Sequence, residues 1–313
     1  MSSENTRLVV AINPRASFGA TASLGPVVVS ALTAHGFDVV SVQASDYDQL
    51  KTKVEKVLHP SPAALVVVGG DGMVHLGVEL CRRFGIPLGV IPTGTGNDLA
   101  RNLSLPLDPL AALETFVHAL KGVPEKIDLA IARGTDQREH PYACVLSAGF
   151  DAIVNERANR LRFPKGRHRY TLALLIELIK LRPLDYTLEI DGVAERGKYL
   201  LVAVANSRSF GGGMKVTPHA SLQDGLLDVF TLQPLSRLAF LRIYPRVFSG
   251  THVSDPRVTI RQARHVTVAC DGVVAYADGE AVGPLPLEIG IEKAGLEVFS
   301  GVRGASPKSE RVE

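Results

Sequence analysis

Apolar residues along the first 130 positions come in unbroken runs. LVVAIN (8–13), FDVVSV (37–42), AALVVVGG (63–70) and IPLGVIP (86–92) read as strands. Val, Ile and Leu without polar alternation mark parallel strands covered by helices on both faces. Residues 21–34, the polar stretch ending at Leu58, and Met73 to Phe84 carry helical patterns between those strands. Strand and helix in alternation predict an α/β layer fold with right-handed crossovers. The texture changes near Lys126. Segments 126–133, 141–148, 184–191, 198–206, 226–232, 257–270 and 285–299 are strand-like, often alternating, and set apart by DG, GG or Pro-containing turns. Only 151–180 and 235–248 look helical there. The pattern predicts an α/β domain over 1–130, a β-rich sandwich domain over 131–302, and a disordered tail over 303–313.

The 313 residues suffice for two domains, and 46% apolar against 21% charged residues is the balance of a soluble globular chain, not a disordered one. Lys plus Arg number 34 against 32 Asp plus Glu, so the net charge of +2 excludes a strong global field for nucleic acid. Cys81, Cys144 and Cys270 are odd in number and far apart, which argues against a disulfide framework and a structural zinc site. A reducing, cytoplasmic setting follows. The amino terminus carries no signal pattern, and the longest apolar helical stretch, TLALLIELIKL (171–181), is interrupted by Glu177 and Lys180. A bilayer span needs about 20 largely uncharged residues, so none is expected.

The sharpest chemical feature is VVVGGDGMVHLGVEL (66–80). A buried strand runs into Gly69-Gly70-Asp71-Gly72, and a helix begins at once. Glycines allow a tight turn that aims N–H groups at a ligand, and the helix amino terminus adds a positive dipole end. That combination suits phosphate. Asp71 would repel a bare phosphate, so it either meets the ligand through Mg²⁺ or a hydroxyl, or is a plain helix cap. Twenty-five residues on, PLGVIP runs into Thr93-Gly94-Thr95-Gly96-Asn97-Asp98. Two such loops at the carboxyl ends of neighbouring parallel strands converge where α/β sheets bind ligands. No GxxxxGK[ST] occurs, and Leu99 stands where a Rossmann fingerprint needs its third Gly.

GGDG followed by PTGTGNDLAR resembles the diacylglycerol kinase catalytic domain, shared with sphingosine and ceramide kinases, and within it the bacterial soluble lipid kinases of the diacylglycerol kinase/YegS type. The resemblance runs in order through NPRASFG (13–19), SAGFDAIV (147–154), VANSRSFGGGMKVTPHASLQDGLLDV (204–229) and ADGE (277–280), covering about residues 7–300. GGDG alone is not specific, since NAD kinases and phosphofructokinases carry it. The resemblance implies an ATP site between the α/β domain and the sandwich. It assigns to the nucleotide Asn13, Pro14, Arg15, Ala16 and Ser17; Gly69, Gly70, Asp71, Gly72 and Met73; and Gly94, Thr95, Gly96, Asn97 and Asp98. Glu280 matches the catalytic base, with Asp71 beside Mg²⁺ and Asp128 as a further active-site acid. The SLQDGL turn matches a structural Mg²⁺ site in which Asp224 gives a carboxylate and Ser221 and Leu226 mainly backbone oxygens.

Three positions depart from that pattern. Met73 stands where Thr is usual, Ala16 or Ser17 where a Gly is usual, and Gln223 replaces the first of two common Asp residues. Two other stretches read either way. Residues 157–169 hold six Lys or Arg and no acid, which is a docking patch for an anionic membrane or a solvated loop. GGGM (211–214) reads as a wide turn rather than a mobile loop. His75 lies in no metal-ligand spacing and Ser147 in no nucleophile elbow.

These readings lead to an ATP- and Mg²⁺-dependent lipid kinase that converts diacylglycerol to phosphatidate, in the cytoplasm and peripherally at the inner membrane face, with self-association as a homodimer left open. One alternative is a soluble-metabolite kinase such as an NAD kinase, which gives no reason for GTGND, SFGGGM and ADGE in this order. Another is a nucleotide- or lipid-binding protein with impaired catalysis, which only Met73 supports.

Overall fold

The computed structural model describes residues 6–14, 20–149 and 182–301. Arg15, Ala16, Ser17, the basic stretch 157–169, the helix expected at 171–181 and the tail 303–313 lie outside them.

Strand β1 (Arg7–Ile12), helix α1 (Ala20–Ala34), β2 (Asp38–Gln43), α2 (Tyr47–Val57), β3 (Ala64–Gly69), α3 (Asp71–Phe84) and β4 (Leu88–Pro92) follow the expected alternation. The four strands pair in parallel in the order β2-β1-β3-β4. Side chains on one strand point alternately to its two faces. Val9, Ala11, Leu65 and Val67 accordingly pack in one apolar cluster with Leu50, Val54, Leu76 and Leu80 of α2 and α3. Leu8, Val10, Val66 and Val68 pack in another with Val28 and Leu32 of α1. A short helix α4 (Asp98–Asn102) and α5 (Pro109–Ala119) follow. The sequence pattern leaves α5 out, although Asp108 caps it by accepting the amides of Leu110 and Ala111 at 3.1 and 2.9 Å.

From β5 (Glu125–Arg133) onward the chain is mostly antiparallel. It continues through β6 (Glu139–Tyr142), β7 (Val145–Ser147), β8 (Leu184–Ile190), β9 (Val193–Tyr199), β10 (Leu201–Ala205) and β11 (Leu227–Leu232) to helix α6 (Arg237–Ser249). Then come β12 (Val258–Ala263), β13 (His265–Ala269), β14 (Val274–Ala277), β15 (Glu280–Pro284) and β16 (Leu287–Val298). Strands β7, β10, β11, β12, β14 and β15 form one antiparallel sheet in the order β12-β11-β10-β7-β14-β15. Against it packs the far end of the first sheet, with Tyr142, Leu146, Val204, Leu227, Val268 and Leu287 in the shared core. Strand β16 joins the two halves. It pairs with β4 in parallel at Val298–Leu88 and with β5 and β13 antiparallel, extending the first sheet to ten strands. An N-terminal parallel α/β layer and a C-terminal β-sandwich are thus the architecture, as the pattern predicts.

Candidate active site

The carboxyl ends of three parallel strands stand level, with Ile12 opposite Val68 and Gly69 opposite Pro92. Asn13 and Pro14, both half-buried, therefore leave β1 beside the loop that leaves β3. The two glycine loops touch: a Cβ built on Gly94 would lie 2.5 Å from the Gly70 Cα, so neither position tolerates a side chain. Gly70 is the extended residue ahead of α3, and its carbonyl accepts the amides of Met73 and Val74. The amides that open a helix lack partners one turn back, and the start of α3 carries the positive end of its dipole beside the second loop.

Asp71 caps a helix, but not its own. Its carboxylate accepts the amide of Asn97 at 3.2 Å and that of Asp98 at 2.8 Å, closing the start of α4. Asn97 holds the same loop from within: its Oδ1 accepts the Gly94 amide at 2.9 Å, its Nδ2 donates to the Gly94 carbonyl at 2.8 Å, and its backbone is left-handed. Asp98 reaches the other way and accepts the amides of Gly211 and Gly212 at 2.6 and 2.9 Å. The GGGM segment is accordingly a turn, with Gly211, Gly212 and Gly213 all at positive φ. Burial pushes the Asp98 carboxyl up to about 7, helped by the negative charge of Asp71. Burial also raises Asp71, against the pull of the amides it accepts. Asp71, Asn97 and Asp98 form the frame beneath the loops, and Thr95 is the exposed residue of the second loop.

Met73 is buried, and its side chain runs back over Gly69 into the core. The missing hydroxyl of the usual Thr is therefore replaced by packing, and the Met73 amide donates to the Gly70 carbonyl at 2.9 Å.

The sandwich contributes Glu280. Asp278 and Gly279, at φ 49° and 90°, make the tight hairpin turn between β14 and β15 that Asp-Gly favours. The Asp278 carboxylate accepts the amides of Ala143 at 2.8 Å, Cys144 at 3.0 Å and Val145 at 3.0 Å, which bolts the hairpin to the start of β7. Burial raises this carboxyl too. Glu280 follows, exposed, with Oε1 at 3.3 Å from where a Cβ on Gly72 would sit. An acid of the sandwich thus faces the first glycine loop of the α/β layer. Two residues near it escape the sequence reading. Tyr47, which opens α2, has its hydroxyl pushed up by burial and by the charges of Glu79 and Glu280. Asp278 looks in sequence like a turn residue and nothing more.

Asp128 lies with the SLQDGL turn. Its carboxylate accepts the amide of Gly225 at 2.7 Å and that of Ala294 at 2.7 Å, and its carbonyl accepts from buried Asn206 at 2.8 Å. In the turn, Ser221 is half-buried and its Oγ accepts the Gln223 amide at 3.3 Å, while Asp224 accepts the Leu226 amide at 3.0 Å. Gln223, in place of the common Asp, donates to Glu125 at 2.7 Å and to the Lys126 carbonyl. Next to Asp224 stands Asp228, buried, with an Oδ2 that meets no hydrogen-bond partner among the described residues. Burial and the Asp224 charge push its carboxyl up to about 6.

The arrangement has matches among known proteins. The family model for the diacylglycerol kinase catalytic domain matches residues 7–132, and that for the YegS C-terminal NAD kinase beta sandwich-like domain matches 144–300. A diacylglycerol kinase of Mycobacterium tuberculosis (strain H37Rv) is 39% identical over 289 residues, 92% of this chain and 93% of the relative. The chain belongs to the diacylglycerol kinase family. A second member, the diacylglycerol kinase of Bacillus subtilis (strain 168), is 31% identical over 72% of the chain and 73% of its own length. The crystal structure of a diacylglycerol kinase from Bacillus anthracis str. Sterne shares the fold at a TM-score of 0.70 and 17% identity, over 96% of this chain and 98% of that one. This kinase is therefore a phosphotransferase.

Proposed function

We propose that this kinase transfers the γ-phosphoryl group of ATP to the hydroxyl of diacylglycerol, giving phosphatidate. The observation that carries the reading is Glu280 facing Gly72 across the cleft between the two halves. An acid there stands between the loops that suit phosphate and the open side where an acceptor enters.

The residues present fit the nucleotide. Gly70 and Gly94 pack backbone against backbone, which holds the two loops together at the carboxyl ends of β3 and β4, next to Asn13 at the end of β1. They fit a cation as well: the orphaned Asp228 Oδ2 beside Asp224 is a buried acceptor wanting either a proton or a metal. Asp224, with backbone oxygens of Ser221 and Leu226, would hold Mg²⁺ in that turn, steadying it against Asp128 and β5. Bound at the cleft, Mg²⁺·ATP supplies the phosphoryl group and the charge that offsets its oxygens.

The chain's own work is positioning and one proton. Asp71 fixes the second loop to the first, so both present their backbone to one ligand. Asp98 holds the 211–213 turn against that loop. Glu280 accepts the lipid hydroxyl proton as oxygen bonds to phosphorus, and ADP departs as the bond to its β-phosphate oxygen breaks. Asp278 fixes the hairpin so that Glu280 stays in reach. The substrate is a membrane lipid, so the reading puts the enzyme at the cytoplasmic membrane face. Among the described residues no helix is long and apolar enough to cross a membrane.

Radiolabelled ATP offered with diacylglycerol micelles, or with NAD, tests the reading. Label in phosphatidate is expected. Label in the NAD fraction, or in no acceptor, would overturn it.

A further inference from the structure

Helix α6 has one face in the core and another that no described residue covers. Phe240 and Ile243 are buried. On the opposite side Leu238 is 70% exposed, Leu241 48% and Phe248 46%, with exposed Pro245 among them. At about 100° per residue these four positions fall within roughly 80° of the helix circumference. Arg237 and Arg242, both exposed, border the stripe on either side, and the helix holds no Asp or Glu. Single exposed leucines are ordinary, whereas three large apolar side chains in one stripe mark a contact surface.

The charge decides what the surface meets. Both flanks are cationic, so two copies placed face to face would set like charges together. An anionic bilayer satisfies both flanks at once, with the apolar stripe entering the headgroup region. The position in the fold gives a second reason. The loop 210–215 links the cleft to α6: Gly211 and Gly212 donate to Asp98, and the amide of exposed Lys215 donates to the Val247 carbonyl at 3.0 Å. The helix is one short loop from the second glycine loop.

We infer that α6 is a membrane-docking helix. Leu238, Leu241 and Phe248 enter the headgroup region of an anionic bilayer, and Arg237 and Arg242 meet lipid phosphates. Loop 210–215 then holds the cleft at the surface where a lipid hydroxyl is offered; this last step alone rests on the lipid-kinase reading.

Co-sedimentation of the full chain with vesicles, without nucleotide, tests the docking. Vesicles of phosphatidylcholine alone are compared with vesicles that also contain phosphatidylglycerol. The wild type should bind the anionic vesicles more tightly. The triple variant Leu238→Ser, Leu241→Ser, Phe248→Ser should lose roughly tenfold or more of that binding. The double variant Arg237→Gln, Arg242→Gln should lose about fivefold per charge, the factor matching about 1 kcal/mol per cation at an anionic surface, and respond less to salt. Both should keep wild-type turnover on a short-chain, water-soluble diacylglycerol. Unchanged anionic-vesicle binding by the triple variant overturns the inference. So does a wild-type dimer that the triple variant splits while vesicle binding stays the same. Absence of wild-type turnover on diacylglycerol would sink the functional reading and leave the docking result standing.

Discussion

Carboxylates gather in two places in this molecule, the cleft and the SLQDGL turn, and they are built alike up to a point. In both, most acids are committed to backbone amides. Asp71, Asp98 and Asp278 together accept seven of them in the cleft, and Asp128 accepts those of Gly225 and Ala294 at the turn. In both, one acid is left with spare capacity. At the cleft it is Glu280, exposed and facing a glycine loop; at the turn it is Asp228, buried beside Asp224 with its Oδ2 unpaired among the described residues. An exposed acid can trade a proton with an incoming hydroxyl. A buried acid with an orphaned oxygen can only be neutralised, by a proton or a cation. On the proposed function, the first acid would take part in the reaction and the second would be stabilised by a proton or a cation.

The sharpest way to break this comparison is Glu280→Gln. Loss of a general base lowers kcat by roughly 10²–10⁴-fold, and ATP affinity should hold, since the residue faces the acceptor. Single-turnover kinetics with a nucleotide-binding titration check both; a variant that keeps most of its kcat would move the base elsewhere. Asp71→Ala should come next, with kcat/KM down about 10²–10³-fold because the second loop loses its tie to the first. Its melting temperature should fall as well, two buried amides being left unpaired at about 1–3 kcal/mol each. A variant with a lowered melting temperature but normal kinetics would make Asp71 a cap alone. At the turn, Asp224→Ala should abolish the rise in melting temperature that Mg²⁺ gives the wild type, with a smaller fall in kcat. Identical melting with and without Mg²⁺ in both proteins would count against a cation there. The smallest effect concerns Asp98. Its folded pKa, about 7, lies above the ordinary carboxylate value, so the folded state binds more protons between about pH 4 and 7. Stability should therefore decline as pH rises through that window and level off above it. Asp98→Asn should flatten the slope, as thermal melts across pH would register.

Much of this was legible in the chain. The four parallel strands follow from unbroken Val and Ile runs, and the two glycine loops from their place after them. The Asp278-Gly279 hairpin follows from its residue pair. What sequence could not reveal is where each carboxylate spends its oxygens. Asp71 reads as a cap on the helix it begins, yet it caps α4, 27 positions on, because the loops are brought together by strand pairing rather than by proximity in sequence. Asp128 reads as a neighbour of the cleft, yet its oxygens go to Gly225 and Ala294, 97 and 166 positions away. Strand β9 escapes because its residues are largely exposed and polar.

Strand β16 carries a consequence for how the protein is made. The α/β layer is the first to leave the ribosome, but the strand that lies between β4 and the sandwich is translated about 155 residues after β5. Until it arrives, β5 can pair only with β6, and the rim of β4 stands open. Closing so long a loop is slow, and an unpaired strand rim invites wrong partners. The nascent layer must therefore wait, half-finished, until β16 has been made.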